Sequence, residues 1–174
     1  MLEKYNRYKL LKVFLDSPTE SFRLRELARL SKISPPSVMN YLKEFEKKSF
    51  IRKQIKKDIP IYFALRDNQK FILYKKLSIL FELNNSGLID YLWEKTSPQA
   101  IILYGSFAKG ESIEDSDIDL FIIGKEINIK YQDFEKKLNK KIHIIFKESL
   151  DLISKELKNN ILNGVILKGY VKVF

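Results

Sequence analysis

Apolar side chains recur in two rhythms along the first half of the chain, and each rhythm predicts its own elements. Tyr8, Leu11, Phe14 and Leu15 return at helical spacing and predict an opening amphipathic helix. Ser21-Phe22-Arg23-Leu24 alternates briefly, and Leu24, Leu27 and Ala28 then predict a short helix ending near Ser31. Ser34-Pro35 is a good helix start, with Ser34 as N-cap and Pro35 at the first helical position. The helix that follows buries Val38, Tyr41, Leu42 and Phe45 and turns Ser37, Asn40, Lys43 and Lys47 outward. Ile51 to Ile55 and Ile61 to Leu65 alternate with period two, predicting two strands around a basic turn with Lys56 and Lys57. Asp67 is the expected cap of a further helix, whose apolar positions Leu73, Leu77, Leu80 and Phe81 are joined by Ile72 and Ile79 around its circumference. Such a helix is buried on more than one side, either wedged between domains or, as is the expectation here, paired with its twin in a homodimer. Asn84-Asn85-Ser86-Gly87 breaks it, and Leu88, Tyr91 and Leu92 begin another short helix ending before Pro98, with Trp93 read as core.

The second half carries the chemistry. An apolar run, Ile101 to Tyr104, leads into Gly105-Ser106, and about ten residues on comes Ser116-Asp117-Ile118-Asp119-Leu120. In a strand, residues i and i+2 share a face about 6.6 Å apart. Asp117 and Asp119 are therefore expected to converge while Ile118 and Leu120 enter the core. Two convergent carboxylates repel unless a cation sits between them. A Gly-Ser turn can open a helix whose free N–H groups face an anion. A hard cation beside a phosphate cradle points to chemistry on a nucleoside triphosphate, and the chain has no Walker-type phosphate motif. Further on, Lys141 to Phe146 reads as a strand, residues 149–160 as a helix with Leu152, Ile153 and Leu157 apolar, and Asn163-Gly164 as a turn. The last predicted strands are Val165–Leu167 and Tyr170–Phe174.

The stretch Gly105-Ser106-Phe107-Ala108-Lys109-Gly110 with Ser116-Asp117-Ile118-Asp119-Leu120 resembles the nucleotidyltransferase superfamily that includes DNA polymerase beta, in particular its minimal prokaryotic members. The resemblance covers about residues 97–174. It implies that Gly105 and Ser106 hold the triphosphate, with Lys109 and Ser116 beside them, Ser116 chiefly orienting the loop. Asp117 and Asp119 would bind Mg²⁺ or Mn²⁺, with ATP the expected nucleotide and a hydroxyl as acceptor, in a partner protein on one reading. In the family a third carboxylate follows on a neighbouring strand, where this chain has His143. Three roles stay open for it: a general base in its own right, a mark of a site that binds without turnover, or a structural residue while an acid such as Glu148 completes the site.

Residues 4–66 resemble a winged helix-turn-helix in their order of elements. That resemblance implies double-stranded DNA as a partner, read in the major groove by Ser37, Asn40 and Lys43, with Lys47, Arg52, Lys56 and Lys57 on phosphates. A protein-binding or dimerising module is the alternative. Charge supports the division: residues 1–70 hold 17 Lys and Arg against 8 Asp and Glu, while residues 71–174 hold 15 against 14. All six arginines lie before residue 70, so a triphosphate clamp would depend on lysines and backbone N–H groups.

The expected architecture is α+β, with a winged helix over residues 1–66, a helical connector over 67–96 and a mixed-sheet transferase-like domain over 97–174. With no cysteine, disulfides and thiolate metal sites are excluded, which together with the polar start Met1 to Arg7 fits a cytoplasmic protein. No apolar run approaches the ~20 residues that cross a membrane. The expected activity is transfer of a nucleoside monophosphate from a metal-bound triphosphate to a hydroxyl, coupled to DNA binding. The alternative is a DNA-binding regulator whose degenerate transferase domain senses nucleotide.

Overall fold

The structure is a computed structural model that describes residues 5–172. The chain divides into two compact units, Met1–Lys75 and Lys76–Phe174. In the first, helices α1 (Asn6–Asp16), α2 (Leu24–Ser31) and α3 (Pro35–Lys47) are joined by strands β1 (Ser21–Arg23), β2 (Ile51–Lys56) and β3 (Ile59–Ala64). The sheet is antiparallel in the order β1-β3-β2. Its core gathers Leu10, Phe14, Phe22, Leu27, Val38, Leu42, Phe45 and Ile51, all essentially sealed from solvent. Phe14 and Phe22 meet edge to face, centroids 5.5 Å apart, an arrangement that aromatic quadrupoles favour.

The hairpin closes through Lys57 and Asp58, both at positive φ (49° and 60°). Two successive left-handed residues make the primed turn whose twist matches the flanking strands. This closure moves the strands out from the sequence expectation, to Lys56 and Ile59. Ser34 does precede α3, and Pro35 occupies its first turn, but the Ser34 hydroxyl donates to the Ser37 hydroxyl (3.0 Å) instead of capping the helix.

Helix α4 (Gln69–Ser86) carries the boundary between the units. The segment expected as a connector is shared between them: Phe71 belongs to the first core, whereas Ile79, Leu83, Leu88 and Leu92 belong to the second. The N-terminal cap is Asn68, not Asp67. Its Oδ1 accepts from the N–H groups of Lys70 (2.9 Å) and Phe71 (3.1 Å). The expected apolar face also shifts, because Leu73 and Leu77 are about half exposed while Phe71, Ile79 and Leu83 are buried. The helix ends at Gly87, whose φ of +82° no side chain adopts readily.

The second unit continues with α5 (Leu88–Thr96), β4 (Ala100–Tyr104), α6 (Gly105–Lys109), β5 (Ile118–Ile123), α7 (Gln132–Leu138), β6 (Ile142–Lys147), a 3₁₀ turn over Leu150–Leu152, α8 (Lys155–Leu162) and β7 (Val165–Gly169). Its sheet runs β6-β5-β4-β7, with β5 and β6 parallel and the other pairs antiparallel. Strand alternation sorts its side chains into two layers. Ile101, Leu103, Ile118, Leu120, Ile122 and Ile142 pack with Leu83, Leu88 and Leu92. On the other face, Ala100, Ile102, Tyr104, Phe121 and Ile123 pack with Leu150 and Ile161. A sheet covered on both faces reads as apolar runs, which is why β4 and β5 contain so few polar residues.

Three expectations change here. Helix α7 has no counterpart among the elements that the sequence predicts; Glu135 in it accepts from the Ile142 N–H (2.9 Å). The helix expected over 149–160 is a 3₁₀ turn followed by α8, which starts just after Ser154, its N-cap, whose hydroxyl accepts from the Leu157 N–H (3.2 Å). Residues 170–172 form no strand, and the rest of the strand expected over Tyr170–Phe174 lies outside the described residues. No helix among the described residues is long and apolar enough to cross a membrane.

Candidate active site

At one end of its central strands the sheet of the second unit brings three polar side chains together. Tyr104 ends β4 and pairs with Asp119 on β5; Asp119 in turn pairs with His143 on β6. Register partners leave the sheet on the same face, so Tyr104, Asp119 and His143 form one row across three strands. The Nδ1 atom of His143 stands 3.4 Å from Oδ1 of Asp119.

After Tyr104 the chain turns into α6 through Gly105 at φ +72°, a left-handed conformation that favours glycine. A second constraint acts on the same residue, since a Cβ there would overlap Oδ2 of Asp119. The Gly-Ser turn and the aspartate, fourteen positions apart in sequence, thus meet in van der Waals contact. Ser106 begins the turn half-buried, and its carbonyl accepts from the Glu111 N–H (2.9 Å). Lys109 stands exposed at the far end of α6, before Gly110 at φ +75°.

Asp117 departs from the sequence expectation. Strand β5 begins at Ile118, so Asp117 lies just before it and is exposed instead of sharing a strand face with Asp119. It remains within electrostatic reach. Burial raises the Asp119 carboxyl above the ordinary carboxylate range, the adjacent imidazole of His143 pulls it down, and the Asp117 charge adds to the upward push. Tyr104 responds to the same surroundings: burial, then the Asp119 charge, pushes its hydroxyl up to about 12. Ser116 accepts from the Ile113 N–H through its hydroxyl (2.8 Å) and donates its own N–H to the Ile113 carbonyl (3.1 Å), closing the loop ahead of Asp117.

His143 is therefore brought to Asp119, whereas Glu148 is not. Glu148 follows the end of β6, five residues on and about 16 Å along the strand direction, beside Ser149 and Asp151 in a separate cavity. Sequence reasoning missed Tyr104, because only the antiparallel register of β4 and β5 sets it opposite Asp119.

Residues 86–173, just over half of the chain, match the family described as polymerase beta nucleotidyltransferase. The chain belongs to this family. No curated protein matches the chain. Family membership supports nucleotidyl transfer as the general activity, and such transferases typically use a nucleoside triphosphate and a divalent metal. The donor set suits a divalent cation: a half-buried carboxylate on Asp119, an imidazole 3.4 Å from it, and a second carboxylate on Asp117. Among the described residues these side chains do not stand as a closed three-ligand cluster.

The residues expected at a nucleic-acid face lie in the first unit. Asn40, Lys43 and Lys47 are exposed on α3, and Ser37 is half-buried. Arg52 and Lys56 are exposed on β2, where Ile51 alone of six residues is buried, and Lys57 is exposed in the turn.

Proposed function

We propose that this protein transfers a nucleoside monophosphate from a metal-bound triphosphate to a hydroxyl, which gives up its proton as pyrophosphate leaves the α-phosphorus, at the end of the sheet where Asp119 meets Gly105. The contact between that carboxylate and the glycine turn carries the reading. It sets a metal ligand directly beside backbone that can approach phosphates. The divalent ion, when bound, screens the phosphate charge and polarises the α-phosphorus for attack. Asp119 and Asp117 hold that ion. Gly105 keeps the turn open, and Ser106 presents its hydroxyl and N–H to the phosphate oxygens. Lys109 and the neighbouring lysines supply positive charge in a unit that contains no arginine. Such reactions depend chiefly on positioning and charge neutralisation.

The first unit, on this reading, is a winged helix-turn-helix that brings the transferase to duplex DNA. Asn40, Lys43 and the half-buried Ser37 face base edges, while Lys47, Arg52, Lys56 and Lys57 hold phosphates. The exposure of these side chains supports it. A second reading rests on His143: with an imidazole where a carboxylate would strengthen metal binding, the site senses nucleotide and the protein acts as a DNA-binding regulator.

Incubation with each labelled triphosphate, Mg²⁺ or Mn²⁺ and a cell extract separates the two. Label on protein or RNA supports the transferase; bound nucleotide with no transfer under any condition leaves the regulator. A gel-shift titration against salt tests the first unit. Phosphate contacts predict affinity that falls steeply with salt, and salt-independent binding would remove the groove-binding role.

A further inference from the structure

The only histidine of the chain is placed side by side with a half-buried carboxylate. Asp119 and His143 leave the same face of adjacent parallel strands at the same level. Their 3.4 Å N···O separation is longer than the usual N–H···O hydrogen bond of about 2.7–3.2 Å. It suits two donors that share one cation. With metal–ligand distances of about 2.1 Å, neighbouring donors stand about 3.0 Å apart in an octahedron and about 3.4 Å apart in a tetrahedron. The imidazole side chain is 61% exposed and the carboxylate 27%, so an ion can reach the pair from solvent while one ligand is held in place by the sheet. Asp117 offers a second carboxylate on the solvent side.

Resting on the transferase reading above, we infer that His143 makes this a mixed nitrogen–oxygen metal site, selective for a transition-metal dication of the manganese, cobalt or zinc class over magnesium. Magnesium takes oxygen donors and gives up its water reluctantly, whereas imidazole is a strong ligand for the later ions. A carboxylate at the same position would present oxygen and one more negative charge, both of which favour magnesium. His143 is thus a selectivity residue for the ion.

Having a single histidine makes the test direct. Tag-free, ¹⁵N-labelled full-length protein is titrated with Zn²⁺ and, separately, with Mg²⁺, following the imidazole nitrogens of His143. Zn²⁺ is expected to shift them saturably and Mg²⁺ to leave them in place. In parallel, competition between Mn²⁺ and Mg²⁺, read by the paramagnetic resonance of free Mn²⁺, is expected to give Mn²⁺ an advantage of about tenfold or more. His143→Asp should cut that advantage by about tenfold, largely by improving Mg²⁺ binding. Asp119→Asn should abolish binding of both ions. If Asp119→Asn leaves Mn²⁺ affinity unchanged, the ion binds elsewhere and the transferase reading of this site falls with the inference. If Asp119→Asn removes binding but His143→Asp and His143→Ala leave the Mn²⁺/Mg²⁺ ratio unchanged, only the inference falls. It falls also if Zn²⁺ leaves the imidazole signals in place. Should a variant lose its amide fingerprint, the wild-type imidazole titration still decides.

Discussion

The two sheets of this protein give a polar side chain opposite meanings. In the three-stranded sheet, β2 leaves five of its six residues exposed, so Arg52, Lys53 and Lys56 cost nothing to place there. In the four-stranded sheet, β4 is buried throughout and β5 nearly so, and a carboxylate there loses solvation that apolar neighbours cannot replace. Asp119 is tolerated because it sits at the strand's open end, beside an imidazole. A lysine on the first sheet is consistent with DNA, a protein partner or solvent alone. An aspartate in the second calls for a specific partner.

The largest contrast should appear in stability. Phe121→Ala empties a fully buried position in the four-stranded sheet and should cost about 3–5 kcal/mol in urea unfolding. Lys53→Ala on β2 should stay within about 0.5 kcal/mol. Comparable losses would break the comparison. Two of the glycines at positive φ, Gly87 and Gly105, sharpen it. At Gly87 an added Cβ would meet nothing within 4 Å, so Gly87→Ala should cost only the backbone strain of about 1 kcal/mol. Gly105→Ala adds the overlap with Asp119 and should cost at least about twice as much, along with the activity. Equal losses at the two glycines would show that Asp119 does not press on the turn.

A smaller effect is set by pH. Because the folded protein holds the Tyr104 hydroxyl up to about 12, against an unfolded value of 10.0, it favours the neutral phenol. That stabilisation is fully present below pH 10 and is lost as pH rises through the folded value of about 12. Burial also raises the Tyr62 hydroxyl, so absorbance titration should show Tyr104 as the last phenol to ionise, and Tyr104→Phe should remove that last step and its share of the alkaline loss. Smallest of all is the surface pairing of Glu44 with Lys48 (2.7 Å) and Arg7 (3.1 Å). The Lys48 hydrogen bond chiefly holds the Glu44 carboxyl below its ordinary value, so its contribution is present above that value and fades as the solution is acidified. Glu44→Gln should cost less than about 1 kcal/mol, and less still in high salt.

What the sequence made legible follows the same division. Helices α1 to α3 and the strands of the first sheet were readable because one buried face imposes a period on the chain, and the central strands of the second because a sheet covered on both faces reads as apolar runs. The Gly-Ser turn, Asp119 and the place of His143 were readable because their residue types stand out against apolar runs. Asn68 and Asp67 are both good caps, and only the hydrogen bonds of Lys70 and Phe71 decide between them. The exposure of Leu73 and Leu77 was hidden, since the apolar residues around α4 admit more than one buried face. Helix α7, short and without a fully buried residue, had no periodic signal. Tyr104 could not be read as part of the site, because its neighbour across the sheet is fixed by register, not by spacing.

The central claim is that Asp119, set against the Gly105 turn, is the metal ligand of a working transferase. Its most direct test is label transfer from an α-labelled triphosphate by the wild-type protein and by Asp119→Asn, with the divalent ion present and folding checked by circular dichroism. The account predicts transfer by the wild type and a loss of about 10³-fold or more in the variant, the loss of several kcal/mol of charge stabilisation. Transfer that persists undiminished in a folded Asp119→Asn protein would contradict it.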